Sequence, residues 1–592
     1  MLINLTSKFN TFICGLLLLS SVVFATDSIP RLKSTPKTYQ DAWIGYDPRK
    51  DPLEVKVFKK WEQDGLILRC VKFVTGTFKG QKSYIAGIYA VPKGGQKLPG
   101  IVVCHGGGGR ATAIWTMAFA KRGYATMMIS WRVDERYLSD NKLPPEAQTD
   151  WGAVEGHQSK DALGILPSND KKYDPFPSPR NDGFFLRTIA ARRALTFLEQ
   201  QPEVNPDKLG FYGHSMGAEL TFYVSSVDRR IKTSAPSAGP KIHHDDTLQV
   251  KIASPNAAAK SVTCPILFLS PSQDHHCLIE GVEWFIDNIS TKNYRISRAI
   301  HYQHASDAAS VSAVDLWFDA YLKNNIKFPE QPAIQLISKP GEYPMVRVTP
   351  DNTHPISHVD VYSTRDGENN REQFAMITRY FRFTKAIKKD KSYVAPLKIF
   401  GNSNSLWVFA NVHYKIQDPS KLKLQKPCGT FNVTTRMIMK TPAELKSSMT
   451  KYVTEPTTVI ESFEEDWEKN WLIKGTTHST CKFNDISIRK PENAVLSIKY
   501  RASKEGSLKI DFRVGLGTGG TVYRGVFPLN GSNKEETLLI KFSEMRRGEN
   551  RTRPAHLNVH LSSWNDDEFE HVKFTMDPGS AKILQIAWQE GK

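Results

Sequence analysis

The sequence predicts an α/β fold in which a mostly parallel sheet with helices on both faces is followed by two antiparallel β-sandwiches. Three observations carry that expectation. Between residues 55 and 327 short β-branched runs alternate with stretches apolar at helical spacing, the order a chain needs if each strand is to return in parallel through a helix. Beyond Lys327-Phe-Pro-Glu-Gln-Pro helical periodicity nearly vanishes and apolar and polar residues alternate singly, as in strands with one buried face. Finally, 592 residues are too many for one hydrophobic core, so the chain must divide into several units.

Residues 1–25 stand apart. Lys8 precedes the apolar run Thr11-Phe-Ile-Cys-Gly-Leu-Leu-Leu-Leu, and Val23 and Ala25 close the segment. That is the pattern of a cleavable signal peptide ending near Ala25, which places the protein outside the cytoplasm, secreted or periplasmic. The run is shorter than the ~20 residues of a spanning helix, so no membrane span is expected after cleavage. Residues 26–54 read as an N-terminal extension.

Within residues 55–327, Leu66 to Val74 and Tyr84 to Val91 read as early antiparallel strands. Ile101 to Cys104, Ala125 to Ser130, Lys208 to Tyr212, Pro265 to Ser270 and Tyr294 to Ser297 are short apolar runs of the kind that fill the middle of a buried sheet. Leu186 to Gln200 and Ala313 to Leu322 are apolar at helical spacing. Asp150 to Arg180, rich in Pro, Asp and Gly, is expected to be a long loop near the functional site.

Residues 328–454 are assigned to an immunoglobulin-like sandwich and residues 455–592 to a larger jelly-roll-like domain, a candidate carbohydrate-binding module. In the first, Leu406, Val408, Ala410, Val412 and Tyr414 share a face; in the second, Leu508, Ile510, Phe512 and Val514 alternate with Lys509, Asp511 and Arg513, and Leu557, Val559 and Leu561 alternate likewise. Trp467, Trp471 and Trp564 offer indole faces that either stack on sugar rings or fill the core. Gly515-Leu-Gly-Thr-Gly-Gly520 matches a nucleotide-binding glycine pattern in form, but a strand follows where a helix is required, so it reads as a hairpin.

Composition is ordinary for a globular protein, with 40% hydrophobic and 24% charged residues, which argues against wholesale disorder and a polytopic membrane protein. The net charge of +18 favours acidic partners, an acidic glycan surface among them. No aromatic-interleaved basic motif accompanies it, so nucleic acid is not expected. Six cysteines follow the signal segment (Cys70, Cys104, Cys264, Cys277, Cys428, Cys481) with no C-x-x-C spacing. They suggest neither a zinc site nor a disulfide scaffold; only Cys264 and Cys277 are left as an open pairing.

The chemistry concentrates in three places. Gly213-His-Ser-Met-Gly217 directly follows a strand and opens a helix, the context in which a sharp turn exposes a serine hydroxyl above a sheet, here that of Ser215. A serine is a poor nucleophile at neutral pH, so it needs a base, an acid to orient that base, and donors for the oxyanion. His304 is the candidate base and Asp274, just past a strand end, the candidate acid; Asp245, Asp246 and His301 are the rivals, His301 being expected to point back into the loop or core. His105-Gly-Gly-Gly-Gly109 follows the strand ending at Cys104, and Gly107 and Met216 are read as the two backbone donors of an oxyanion hole. His243-His-Asp-Asp246 and Asp274-His-His276 carry ligand-type side chains, but adjacent histidines on a strand point to opposite faces, so these are read as cleft lining and no metal or other cofactor is expected.

The run from Arg187 through Gly213-His-Ser-Met-Gly217 resembles the acetyl xylan esterase and dienelactone-hydrolase-like groups of α/β-hydrolases, a likeness that extends over about residues 55–325. The resemblance implies an α/β-hydrolase fold and a triad of Ser215, Asp274 and His304. It also implies that the residue after the first glycine of the oxyanion loop, Gly107, donates an N–H. Met216 stands where acetyl xylan esterases commonly carry Gln, and the four-glycine run is more like that of lipases and esterases. The implied activity is a secreted serine hydrolase cleaving carboxylic esters, acyl groups of acetyl type on a polysaccharide or oligosaccharide. The alternatives are a peptidase of prolyl-oligopeptidase type, which generally carries a propeller before the hydrolase unit, and a non-catalytic glycan-binding surface protein.

Overall fold

A nine-stranded sheet organises the first half of the chain. Its strands are β1 (Lys56–Gln63), β2 (Leu66–Phe78), β3 (Gln81–Pro92), β4 (Leu98–Cys104), β5 (Ala125–Ser130), β6 (Val204–His214), β7 (Ile231–Ser237), β8 (Ile266–Leu269) and β9 (Tyr294–Ser297), in the spatial order β1-β2-β3-β5-β4-β6-β7-β8-β9. The first four in space pair antiparallel, and β5, β4, β6, β7, β8 and β9 run parallel. The intervening helices are α1 (Ala113–Ala120), α2 (Glu135–Asn141), α3 (Gly183–Glu199), α4 (Met216–Val227), α5 (Leu248–Ala253), α6 (Pro255–Ala258), α7 (Ile279–Asn288) and α8 (Ala308–Phe318). This computed structural model describes residues 26–156, 165–244, 247–366, 377–417, 428–514, 521–547 and 569–591. The expected signal peptide, Asp245, Asp246, Gly515 to Gly520, the Leu557 to Leu561 alternation and Trp564 lie outside them.

The two-residue period of the strands sorts the core into two layers. Leu68, Cys70, Ile88, Ala90, Ile101, Val103 and Met128 face α1 and α8. Val71, Phe73, Tyr89, Val91, Val102, Cys104, Met127 and Ile129 face α3 and α4. This is the α/β-hydrolase architecture, a mostly parallel sheet with helices on both faces. Two of its strands escape a reading by hydrophobicity. The exposed edge strand β1, Lys-Val-Phe-Lys-Lys-Trp-Glu-Gln, is blunted by lysines as solvent-facing edges are, and β7, Ile-Lys-Thr-Ser-Ala-Pro-Ser, is buried at every position but Lys232.

Helix α3 is buried on almost every side because the N-terminal extension closes over it. The guanidinium of Arg193 donates to the carbonyls of Pro48 (2.6 Å), Pro52 (2.9 Å) and Val74 (3.1 Å). The Asp150 to Arg180 insertion departs from the expected cleft-side loop. Its Arg180–Asp174 ion pair (2.9 Å) is fully buried, Arg180 also donates to Pro30 O (3.0 Å) and Tyr173 to Ile29 O. Burial of that pair is tolerable only with its hydrogen bonds satisfied, which ties the described part of the insertion to the extension.

From Ala333 onward every described strand ladder is antiparallel. Ala333–Ile337, Met345–Thr349, Ser392–Pro396 and Ile387–Lys389 form one sheet; Arg382–Lys385, Ile356–Thr364, Leu406–Lys415 and Thr430–Thr434 form another. Two further sheets follow, Val459–Glu461 with Ala581–Glu590, Ala494–Ala502 and Glu535–Ile540, and a six-stranded one built on Gly506–Val514 and Phe569–Met576. They enclose a separate core around Leu508, Ile510, Phe512 and Trp588, with the expected alternation in Gly506–Val514. In Leu406–Lys415, by contrast, the second face is buried too. Trp407 and Phe409 pack with Tyr362, Phe381 and Ile279 of α7, because this sheet docks on the hydrolase unit rather than facing water.

The dock is polar as well as apolar. Glu283 of α7, 4% exposed, accepts from Arg298 (2.9 Å), from the Met437 N–H (3.0 Å) and from Arg436. The Arg298 carbonyl in turn accepts from Asn411 (3.1 Å) and Asn432 (2.9 Å). Removing one partner of a buried pair strands the other as an uncompensated charge. Glu283→Leu is therefore expected to cost about 3–5 kcal/mol, read as a lower midpoint of the first urea unfolding transition, with Glu283→Gln losing less.

Candidate active site

The turn between β6 and α4 carries the candidate nucleophile. Ser215 sits at φ 60°, ψ −124°, a left-handed conformation that a non-glycine residue adopts only under constraint. The constraint is visible: the Ser215 N–H donates to Ser237 O of β7 (2.8 Å), and its own carbonyl accepts from Ala218 N (2.8 Å), the first turn of α4. The flanking glycines are needed for close approach. A Cβ on Gly213 would collide with the Gly217 carbonyl, and one on Gly217 would lie 2.7 Å from His105 O and closer still to Cys104 O.

The loops after β8 and β9 bring Asp274 and His304 to this serine. His304 Nε2 lies 2.7 Å from Ser215 Oγ, and its Nδ1–H donates to both Asp274 oxygens at 2.9 and 3.0 Å. Asp274, 1% exposed, also accepts from the His276 N–H (2.7 Å). A carboxylate bonded this way fixes the tautomer that leaves Nε2 bare to accept the serine proton. The rival His301 is buried and turned away, its Nε2–H donating to Lys469 O (3.0 Å).

The glycine run after β4 lies against the nucleophile: a Cβ on Gly106 would be 3.1 Å from that of Ser215. Having no side chains, the run is held from outside. Arg132 donates to Gly107 O (2.7 Å), Arg136 to Gly108 O (3.1 Å), and His105 Nδ1–H to Gly106 O (2.7 Å), while the His105 ring stacks on Trp131 at 3.6 Å. Sequence reading missed Arg132 and Arg136. The available signal was a basic pair just past the end of β5, the strand beside β4. Met216 begins α4, so its N–H belongs to the unsatisfied first turn of a helix, where negative charge is stabilised.

Histidines crowd the site. The rings of His214, His275 and His276 lie 5.0, 5.3 and 5.0 Å from that of His304. Burial pushes His276 down to about 4, and burial together with the His304 charge does the same for His214, so both stay neutral beside the base. The backbone of His243 is held by the Asn256 side chain, its N–H donating to Oδ1 (3.1 Å) and its carbonyl accepting from Nδ2 (2.9 Å).

Among the described residues two groups have metal-ligand chemistry, the ligand atoms of each lying within 4.8 Å of one another: Asp274, His275 and His304, and His358, Asp360 and His413. In the first, His304 and Asp274 are engaged with Ser215 and each other. In the second the Lys469 ammonium takes a cation's place, 2.6 Å from Asp360 Oδ2 and 3.2 Å from His358 Nε2. All six cysteines described are free thiols, Cys264 and Cys277 included. Trp471 is core packing, buried with its Nε1–H on Glu461 (2.8 Å), and Trp467 packs edge-on against Phe463.

A cleft of about 1640 Å³ opens at His304 and His214 and runs past the glycine loop, Arg110 and Trp115 along α1. Ile114 and Trp115 stand exposed on its rim. No helix among the described residues is long and apolar enough to cross a membrane.

Residues 85–310 match the dienelactone hydrolase family. The matched segment begins in β3 and ends in α8, so the family domain contains the elbow, both loops and the glycine run. Among solved structures, the acetyl xylan esterase from Paenibacillus sp. R4 is similar at 17% identity, over 50% of this chain and 98% of that one, with a TM-score of 0.38. The acetyl xylan esterase 1 from Thermoanaerobacterium sp. JW/SL YS485 is similar at 14% identity, over 50% and 96%, with a TM-score of 0.37. Likenesses of that size speak to neither substrate nor mechanism. No curated protein matches the chain.

Two outcomes are expected from this geometry. Gly217→Ala forces the elbow apart at the Cys104 and His105 carbonyls and should cost about 1–3 kcal/mol in thermal unfolding, with loss of the 2.7 Å Ser215–His304 contact. Burial drives the His105 pKa down to about 3, against an unfolded value near ~6.5. A depressed folded value means that stability is whole above the unfolded value and is lost as pH falls towards the folded one. Urea midpoints should decline from about pH 6.5 to 4, and His105→Gln should make that decline shallower without abolishing it, because His214 and His276 are depressed likewise.

Proposed function

We propose that the protein is an exported serine esterase that removes acyl groups of acetyl type from a polysaccharide or oligosaccharide. The observation that carries the reading is the hydrogen-bonded line from Asp274 through His304 to Ser215 Oγ at the mouth of α4. Ser215 Oγ attacks the ester carbonyl as its proton passes to His304 Nε2, and Asp274 stabilises the imidazolium. The carbonyl oxygen, now negative, takes hydrogen bonds from the Met216 and Gly107 N–H groups. Collapse expels the sugar alkoxide, which takes the proton from His304 and leaves an acyl-serine. Water, deprotonated by His304, then attacks that acyl carbon; the Ser215 Oγ–acyl bond breaks, Oγ takes the proton back from His304, and the carboxylic acid leaves. The reaction needs no cofactor.

Three features support a glycan ester as substrate. The cleft is open and long, its rim offers the indole of Trp115 for stacking on a pyranose face, and the net charge of +18 favours an acidic glycan surface. The apolar leader at residues 1–25 supports export.

Hydrolysis of p-nitrophenyl acetate, acetylated xylan and a Gly-Pro nitroanilide tests the reading. Acetate release from both esters, none of the amide, and a fall of about 10⁴-fold or more in Ser215→Ala are expected. Amide cleavage would shift the assignment to a peptidase, and activity retained in Ser215→Ala would overturn the mechanism.

A further inference from the structure

The two loops that carry Asp274 and His304 are braced from behind by the C-terminal sandwiches. They are first tied to each other, by Ser272 N–H to Ala299 O (3.0 Å), Gln273 N–H to Tyr302 O (3.0 Å) and His301 N–H to Ser272 Oγ (2.8 Å). On the side away from the cleft each loop then sends one polar side chain out of the hydrolase unit. Gln273, next to Asp274 and 2% exposed, donates its amide N–H to Arg379 O (2.7 Å) and towards Cys481 Sγ (3.1 Å). His301, three residues before His304, donates to Lys469 O (3.0 Å), and its ring lies parallel to that of Tyr380 at 6.0 Å.

The receiving side is itself fixed. Lys469 is pinned by Asp360 (2.6 Å), Asn470 accepts from the Tyr380 hydroxyl (2.7 Å) and the Phe383 N–H (3.1 Å), and the Arg379 guanidinium returns to Glu280 (3.1 Å). His301 has φ 62°, a conformation that tertiary contacts must hold in place. Buried donors of this kind are costly to leave unmade, so the loops adopt this shape only where the sandwich carbonyls meet them.

We propose that Gln273 and His301 are positioning residues through which the docked sandwiches set the Asp274–His304–Ser215 geometry, so that the hydrolase unit is competent only with its C-terminal modules in place. The inference rests on the serine-esterase reading above.

The test uses the full chain. His301→Phe keeps a ring against Tyr380 without the donor, Gln273→Met keeps length without the amide, and Lys469→Met loosens the acceptor from the far side while leaving the hydrolase unit untouched. Each variant is assayed for kcat and KM on p-nitrophenyl acetate and for the rate at which a fluorophosphonate labels Ser215. Turnover and labelling should both fall about 10- to 100-fold with KM within about twofold, because only the alignment of the triad is disturbed. His301→Gln, which can still donate, should recover most of the rate. His301→Phe combined with Lys469→Met should be no slower than the worse of the two singles, as expected of one shared path. Labelling and turnover at the wild-type rate in Gln273→Met, His301→Phe and Lys469→Met would overturn the inference while leaving the esterase reading intact. A wild-type protein that resists the fluorophosphonate would overturn both. Should His301→Phe fail to fold, Lys469→Met decides alone.

Discussion

The site depends on a backbone conformation that its own residue disfavours. Ser215 at positive φ costs about 1–3 kcal/mol, and the fold holds it there by threading a strand, a turn and a helix through a space too narrow for a Cβ at Gly213 or Gly217. That narrowness makes the hydroxyl project and delivers the first free N–H of α4 beside it. It also presses the elbow against the Cys104–His105 strand end, from which the glycine run departs. Ser215 and the glycine loop are thereby coupled through the adjacent central strands β4 and β6.

Much of this was legible in the chain because each feature needed a particular residue type in a particular place. Glycine either side of Ser215, an aspartate one loop past β8 and a histidine one loop past β9 leave few other arrangements, and the structure brings Ser215, Asp274 and His304 together. The mostly parallel sheet with its helices followed from periodicity, and the α/β-hydrolase fold from the resemblance around the elbow. Features that periodicity does not encode stayed hidden: β7, whose Ser, Thr and Pro composition disguises a buried strand; the outer face of Leu406–Lys415, where Trp407 and Phe409 looked like ordinary strand residues until a partner surface covered them; and the arginines on the glycine loop, whose acceptors are backbone carbonyls with no sequence signature. The Asp150 to Arg180 insertion reads as a loop near the site because a buried Arg–Asp pair has the same composition as an exposed one.

The basic balance also changes meaning once the fold is known. Arg180, Arg187, Arg193, Arg298 and Arg379 are among the most deeply buried side chains in the molecule. Arg180 and Arg193 spend donors on backbone carbonyls of the N-terminal extension. A planar cation with five donors can satisfy several carbonyls at once where the chain crosses itself. Part of the excess positive charge is thus structural cement, and only the remainder is displayed to a partner.

The pairing of Thr477–Thr480 with Phe569–Met576 has a consequence in time. The sheet whose edge strand Leu472–Lys474 follows directly on Lys469 cannot close until a strand made far later in synthesis has arrived. Ser215 is therefore translated early into a unit whose histidine loop still lacks its brace. Under the bracing proposed above, a chain emerging N-terminus first carries Ser215 unarmed through the early stages of its own production and becomes reactive as one of the last events of folding.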